Sequence, residues 1–122
     1  MREILFRGKG INDKEWRYGF YTEQQGYPYI TPDGVAMYEI DANTAGQYTG
    51  FVDKNGKKIF EGDIVCMDDW IPPCMQVAYA QGAFYLAEIE KSVKYYGDIY
   101  YLNHGGNPCA KVIGNIYDDL SY

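Results

Sequence analysis

Residues 46–65 read GQYTGFVDKNGKKIFEGDIV. Glycines recur there among aromatic, β-branched and charged residues, so the stretch either cradles a ligand on a flexible loop or turns tightly between strands. A phosphate-binding loop needs Gly-x4-Gly-Lys-Ser/Thr between a strand and a helix, so that backbone amides and the helix N-terminus face the phosphates. Gly50 and Gly56 have the wrong spacing, Lys58 stands where Ser or Thr is required, and no helical periodicity follows. Hairpin grammar fits better. Asn55-Gly56 is a favoured central pair for a type I′ turn, because both residues tolerate positive φ. A two-residue loop there predicts Lys54 opposite Lys57, Asp53 opposite Lys58, Val52 opposite Ile59 and Phe51 opposite Phe60. Asp53 and Lys58 are complementary in charge, and the two apolar pairs stack on opposite faces. Glu61-Gly62 reads as a second turn feeding a strand that opens at Asp63, whose carboxylate is expected to bond turn amides. Gly46 and Gly50 are expected to bend or thin the strand around Tyr48.

The same punctuation recurs along the chain. Short or alternating apolar runs bounded by Gly, Pro, Asn and Asp predict strands at Glu3–Arg7, Glu15–Thr22, Tyr27–Thr31, Met37–Asp41, Gln47–Val52, Lys58–Phe60, Asp63–Met67, Gln76–Tyr79, Ala83–Glu88, Ile99–Leu102 and Lys111–Tyr117. Thr31-Pro32-Asp33-Gly34 reads as a turn with Pro at its second position. Gln81-Gly82 closes a hairpin, residues 68–73 form a proline-interrupted loop, and Asn103–Pro108 reads as the most flexible loop. Helical spacing is weak: Leu86, Ile89, Val93 and Tyr96 admit a helical turn, and Tyr117–Leu120 admits another. The fold class expected is mainly β, small meander sheets with an SH3-like barrel and little helix. One domain over residues 1–122 is expected, divisible into β subdomains at about 1–45 and about 46–122, the second being the barrel.

Composition narrows the function. The chain has 122 residues, 47% of them hydrophobic, which suffices for a core without metal or disulfide support. Aromatics reach 17%, with 14 tyrosines. Tyrosine suits strands and also interfaces, having an apolar body and a polar tip. Net charge is −6, carried by the second half, which lacks the counterion-release drive of a general nucleic-acid binder. The N-terminus is too polar for a signal peptide, and no run is long enough to span a membrane. With three cysteines, an odd count, reduced thiols in a cytoplasm are expected.

No reaction follows from the residues. Cys66, Cys74, His104 and Cys109 have spacings wider than a usual zinc pairing. His104 sits in a glycine-rich loop without a third group to orient it for a Cys–His pair. Asp68-Asp69 and Asp118-Asp119 are sequence neighbours, which a strand would point to opposite faces. Neither an enzyme, a metal nor a cofactor is expected. The aromatics remain. Trp16, Tyr18 and Phe20 alternate along one strand with Arg17, Gly19 and Tyr21, so that rings occupy both faces. Trp16, Tyr18 and Tyr48 are the candidate interface residues, for a second copy of the chain or another protein. Stacking of single-stranded bases near Arg17 is the alternative.

Thr44–Val65, TAGQYTGFVDKNGKKIFEGDIV, closely resembles the signature of the YopX family of phage and prophage proteins. MREILFRGKG, EWRYGFY (Glu15–Tyr21), QGAFYL (Gln81–Leu86) and VIGNIYD (Val112–Asp118) resemble further family segments in the same order, so the likeness spans nearly the whole chain. The resemblance implies a mainly β protein with an SH3-like barrel, encoded among the accessory genes of tailed phages and prophages. It implies no catalytic residue. The function expected is a non-catalytic protein-interaction module of the bacterial cytoplasm that self-associates, with a phage or host protein as a further partner. A nucleic-acid-binding barrel regulating phage or host processes is the alternative, and no membrane partner is expected.

Overall fold

The computed structural model describes residues 4–68, 70, 73–89, 95–104 and 107–118, with the backbone alone at 95–96, 100–101, 103–104 and 107. The chain is mainly β and forms two compact units, Met1–Tyr48 and Thr49–Tyr122.

The first unit contains β1 (Phe6–Lys9), β2 (Trp16–Gln24), β3 (Tyr27–Thr31), β4 (Tyr38–Glu39) and the opening of β5 (Gly46–Val52). They lie in the antiparallel order β4-β3-β2-β1-β5. The first strand lies later than predicted, at Phe6–Lys9; Glu3 falls outside the described residues. Its register places Arg7 opposite Tyr18 and Lys9 opposite Trp16. β2 and β3 join through Gln25-Gly26, with Gln24 opposite Tyr27. Both loop residues have positive φ, 54° and 84°, the signature of a type I′ hairpin. Thr31–Gly34 turns as predicted, with the Asp33 carboxylate accepting the Val35 and Ala36 amides at 2.8 and 2.9 Å. Gly19 lies where the backbone of Thr31 and Pro32 crosses β2: a Cβ there would stand 2.4 Å from the Thr31 carbonyl oxygen. Among the described residues of this unit two large aliphatic side chains are fully buried, Ile30 and Ile40.

The second unit takes the remainder of β5, then β6 (Lys58–Phe60), β7 (Asp63–Cys66), β8 (Cys74–Ala80), β9 (Ala83–Ala87) and β10 (Tyr95–Asp98). The short strands β11 (Asn103–His104) and β12 (Asn107–Pro108) and the longer β13 (Lys111–Asn115) follow. Period-2 alternation assigns the faces. Val112, Val65 and Met75 meet across β13-β7-β8, and Val77 meets Leu86 across β8-β9. With Ile59, Phe84, Ile99, Leu102 and Ala110 they form the apolar core, against which Phe51, Met67 and Trp70 pack. Each such side chain contributes roughly 1.5–3 kcal/mol when fully buried.

The predicted barrel is corrected. The five strands run β10-β9-β8-β7-β13, and no described strand joins β10 to β13, so the sheet is open. Of the helical spacing read over Leu86–Tyr96, the described ends are strand: Tyr95 pairs with Ala87 and Gly97 with Leu86. Residues 90–94 lie outside the described set, as do 119–120 of the second predicted turn. Ile99–Leu102 is a 3₁₀ turn, not a strand, and it buries Ile99 and Leu102 in the core. The loop read as most flexible contains the β11–β12 ladder, while Gly105 and Gly106 lie outside the described residues.

The opening stretch is a hairpin of a different kind from the one predicted. Asp53 N–H donates to the Lys57 carbonyl at 2.7 Å, and Gly56 N–H donates to the Asp53 carbonyl at 3.0 Å. Of Asn55-Gly56 only Gly56 has positive φ, at 83°. This is a three-residue loop, a turn centred on Lys54-Asn55 followed by a left-handed glycine. Asp53 therefore faces Lys57 rather than Lys58, and the predicted register shifts by one. The cause is the Asp53 carboxylate. One oxygen accepts the Asn55 and Lys57 amides at 2.8 and 2.9 Å, and the other accepts the Val112 amide of β13 at 3.0 Å. A type I′ turn would move those amides away from a carboxylate held by β13. Burial is the largest influence on Asp53 and pushes its carboxyl up. The Val112, Lys57 and Asn55 amides, with the Lys57 charge, outweigh it and hold the group below the ordinary 3.8. Asp63 accepts the Phe60 amide at 2.8 Å, as expected of a turn carboxylate.

Cys66 and Cys74 form a disulfide across β7 and β8, with their Cα atoms 4.1 Å apart. The expectation of three reduced thiols is corrected: the two strands place these residues directly opposite each other, a relation that sequence spacing conceals. Cys109 lies outside the disulfide, and its thiol donates to the Leu102 carbonyl at 3.1 Å.

Candidate functional site

The first unit presents aromatic rings on a short sheet. Alternation along β2 puts Trp16, Tyr18 and Phe20 on one face and Arg17, Gly19 and Tyr21 on the other. The register adds Arg7 and Lys9 to the first face. The Arg7 guanidinium carbon lies 4.7 Å from the Trp16 ring centroid and the Lys9 ammonium 5.8 Å from it, both within cation–π range. On the opposite face Phe6 meets Tyr21 with centroids 5.6 Å apart, and Arg17 stacks 4.1 Å over Tyr38. Asp13 fixes Arg17 from the side, accepting its guanidinium at 2.6 Å. The Glu15 amide and the Arg17 guanidinium both hold the Asp13 carboxyl below its ordinary value.

The three predicted interface residues part company. Tyr18 is 46% exposed, Trp16 is half-buried under its cations, and Tyr48 is only 7% exposed. Tyr48 therefore offers no ring to a partner. Its strand pairs with β1, and its amide donates to the Leu5 carbonyl at 2.8 Å. Sequence reasoning passed over Phe20, which is 59% exposed on the same face as Tyr18. Of the eleven large hydrophobic residues that the described chain exposes, eight fall in the first unit: Ile4, Ile11, Tyr18, Phe20, Tyr27, Val35, Met37 and Tyr38. The period-2 pattern of β2 carries rings on both faces, and that doubling was the available signal.

The second unit holds a groove of about 350 Å³, floored by Gly62 and Ala78 and walled by Tyr79, Tyr85, Ile116 and Tyr117. Gly62 has φ 92°, and a Cβ there would meet the Tyr117 ring at 2.6 Å, so the glycine is a packing requirement as well as a turn. The buried carboxylates of this unit, Asp53 and Asp63, accept backbone amides in turns. No group of three His, Cys, Asp or Glu residues able to hold a metal occurs among the described residues. Cys66 and Cys74 are bonded to each other, the side chain of His104 lies outside the described set, and so do Asp69 and Asp119. No described helix is long and apolar enough to cross a membrane.

Comparison with known proteins follows the fold. The crystal structure of protein EF1440 from Enterococcus faecalis is similar over 95% of this chain and 94% of that one, with a TM-score of 0.57 and 22% identity. At that identity the likeness shows a shared fold. No curated protein matches the sequence. The YopX protein family model matches residues 5–120, including both units and the hairpin quoted at the outset. The chain belongs to the YopX family.

Proposed function

We propose that the protein is a non-catalytic interaction module that associates with a second copy of itself through the Tyr18–Phe20 face of β2. The observation that carries this reading is the imbalance of the first unit. Among its described residues it fully buries two large aliphatic side chains, while Tyr18, Phe20 and six other large hydrophobics are exposed. A sheet of this size gains little from so small a core, and covering the exposed half of each ring would add roughly 1 kcal/mol. Aromatic residues flanked by arginine are the chemistry of interface centres. A second copy presents the same rings and the same cations, so a two-fold arrangement can cover one face with the other. Resemblance to phage and prophage accessory proteins supports a role in the cytoplasm of a bacterial host. Sedimentation over a dilution series tests the reading. The wild type should dimerise, and Tyr18→Ser with Phe20→Ser should be monomeric with unchanged circular dichroism. A wild type that stays monomeric at the highest concentration refutes it.

One observation favours a second reading. Arg7 and Lys9 converge on Trp16, and a ring with cations beside it is also a platform for an unpaired base. The net charge of −6 works against it. Fluorescence anisotropy with single-stranded DNA and RNA at low salt decides: no binding there removes the reading.

A further inference from the structure

Cys66 ends β7 and Cys74 begins β8, so their bond closes the loop of residues 67–73 at its foot. We propose that the two cysteines are a reversible dithiol–disulfide pair, exchanged with low-molecular-weight thiols of the glutathione class, that sets how Trp70 packs on the core of the second unit.

The strand register makes the change local. Val65 pairs with Met75 and Ile64 with Gln76 directly behind the cysteines, so the ladder keeps both sulfurs adjacent after the bond opens. Reclosure then needs no refolding, only an oxidised partner. Access is suitable as well. Both cysteines are half-buried rather than enclosed, and alternation places them on the face opposite Val65 and Met75, away from the core. Lys111 of β13 stands directly opposite Cys66 on that face, and an ammonium there favours the thiolate that leaves when the bond is attacked. Cys109 is unsuited to take part. Its thiol is bonded to the Leu102 carbonyl, and burial pushes it toward the protonated form.

The loop is placed to respond. Beyond the disulfide the Met67 amide donates to the Pro73 carbonyl at 2.8 Å, and the Trp70 amide donates to the Met67 carbonyl at 3.2 Å. Met67 and Trp70 both pack against the core cluster. The disulfide is thus the covalent rung beneath the bond that orients the Trp70 turn. The chemistry balances as ordinary exchange. A small-molecule thiolate attacks one sulfur and forms a mixed disulfide, releasing the other cysteine as thiolate. A second small thiolate attacks the small-molecule sulfur of the mixed disulfide, forming the oxidised dimer and expelling the first cysteine as its thiolate. Two electrons and two protons pass from the two small thiols to the pair, and oxidised glutathione reverses the step.

The test uses the whole folded chain in glutathione buffers of rising reduced fraction. Samples are quenched in acid, then alkylated in denaturant and weighed. Alkyl adducts should rise from one, on Cys109, to three without denaturant in the reaction, and should fall back to one with oxidised glutathione. In a Trp16→Phe background Trp70 is the sole tryptophan, and its emission should shift in step with the adducts while far-ultraviolet circular dichroism holds. Cys66→Ser should show the reduced-state emission in every buffer; should it fail to fold, the wild-type titration still decides. A single adduct throughout the native titration overturns the proposal, as does conversion that leaves Trp70 emission unchanged.

Discussion

Replacing Asp53 by asparagine keeps the size of the side chain and removes one of its two acceptor oxygens. In the wild type those oxygens accept three backbone amides, two within the hairpin and one from β13 fifty-nine residues away. An asparagine oriented to keep the hairpin amides turns its NH₂ toward Val112; flipped, it turns the NH₂ toward the hairpin. Asn55 and Lys57 are exposed and can recruit water, whereas Val112 is only 7% exposed. A hydrogen bond to a charged group contributes roughly 1.5–3 kcal/mol, and a buried donor without an acceptor costs about 1–3 kcal/mol. The expected loss at neutral pH is therefore about 2–4 kcal/mol. For a chain of this length that lowers the melting temperature by roughly 6–20 °C. The pH dependence has a fixed sign. Because the folded carboxyl lies below the ordinary 3.8, its stabilisation is complete above that value and is lost as pH falls through the lower folded value. The stability gap between wild type and Asp53→Asn should stay level from neutral pH to about 5 and then narrow as the wild-type carboxylate protonates. Urea unfolding followed by tryptophan fluorescence at several pH values measures the gap. A gap under about 1 kcal/mol at neutral pH, or one that persists undiminished near pH 3, refutes the bridging role assigned to this carboxylate.

Other expectations are as direct. Gly62→Ala should cost about 1–3 kcal/mol from its positive φ and from collision with Tyr117, and adding Tyr117→Ala should return part of the loss in a urea melt. Gln25→Gly and Gln81→Gly should each raise stability by about 1 kcal/mol, because both glutamines occupy the left-handed region at φ 54° and 52°; a loss in either melt would show that the side chain does more than turn. Cys109 should react with iodoacetamide more slowly than a free model thiol at neutral pH, since burial raises its pKa; reaction at the model rate would place it at the surface.

Much of the architecture was legible because its physical basis is local. Strand runs, the Glu61-Gly62 turn, the Gln81-Gly82 hairpin and the amide-binding role of Asp63 all depend on neighbours within a few residues. The failures share one cause, contact across paired strands rather than along the chain. Asn55-Gly56 has the favoured pair for a type I′ turn, yet the Val112 amide claims one oxygen of Asp53 and the other gathers Asn55 and Lys57 into a different loop. Cys66 and Cys74 read as separate thiols until pairing of β7 with β8 put them face to face. In the candidate site, Tyr18 was visible from alternation alone. That Tyr48 is buried and Phe20 exposed is not contained in the alternation, which fixes a side chain's face and not what packs over it.

Composition and local pattern alone determined a β-rich chain, its principal turns and its surplus of tyrosine, because these depend on side-chain type and on contacts a few residues long. Packing in three dimensions decided the open sheet, the hairpin register, the disulfide and the identity of the exposed rings. Each of those follows from which backbone groups and side chains meet across strands, and a linear order of residues does not contain that distance.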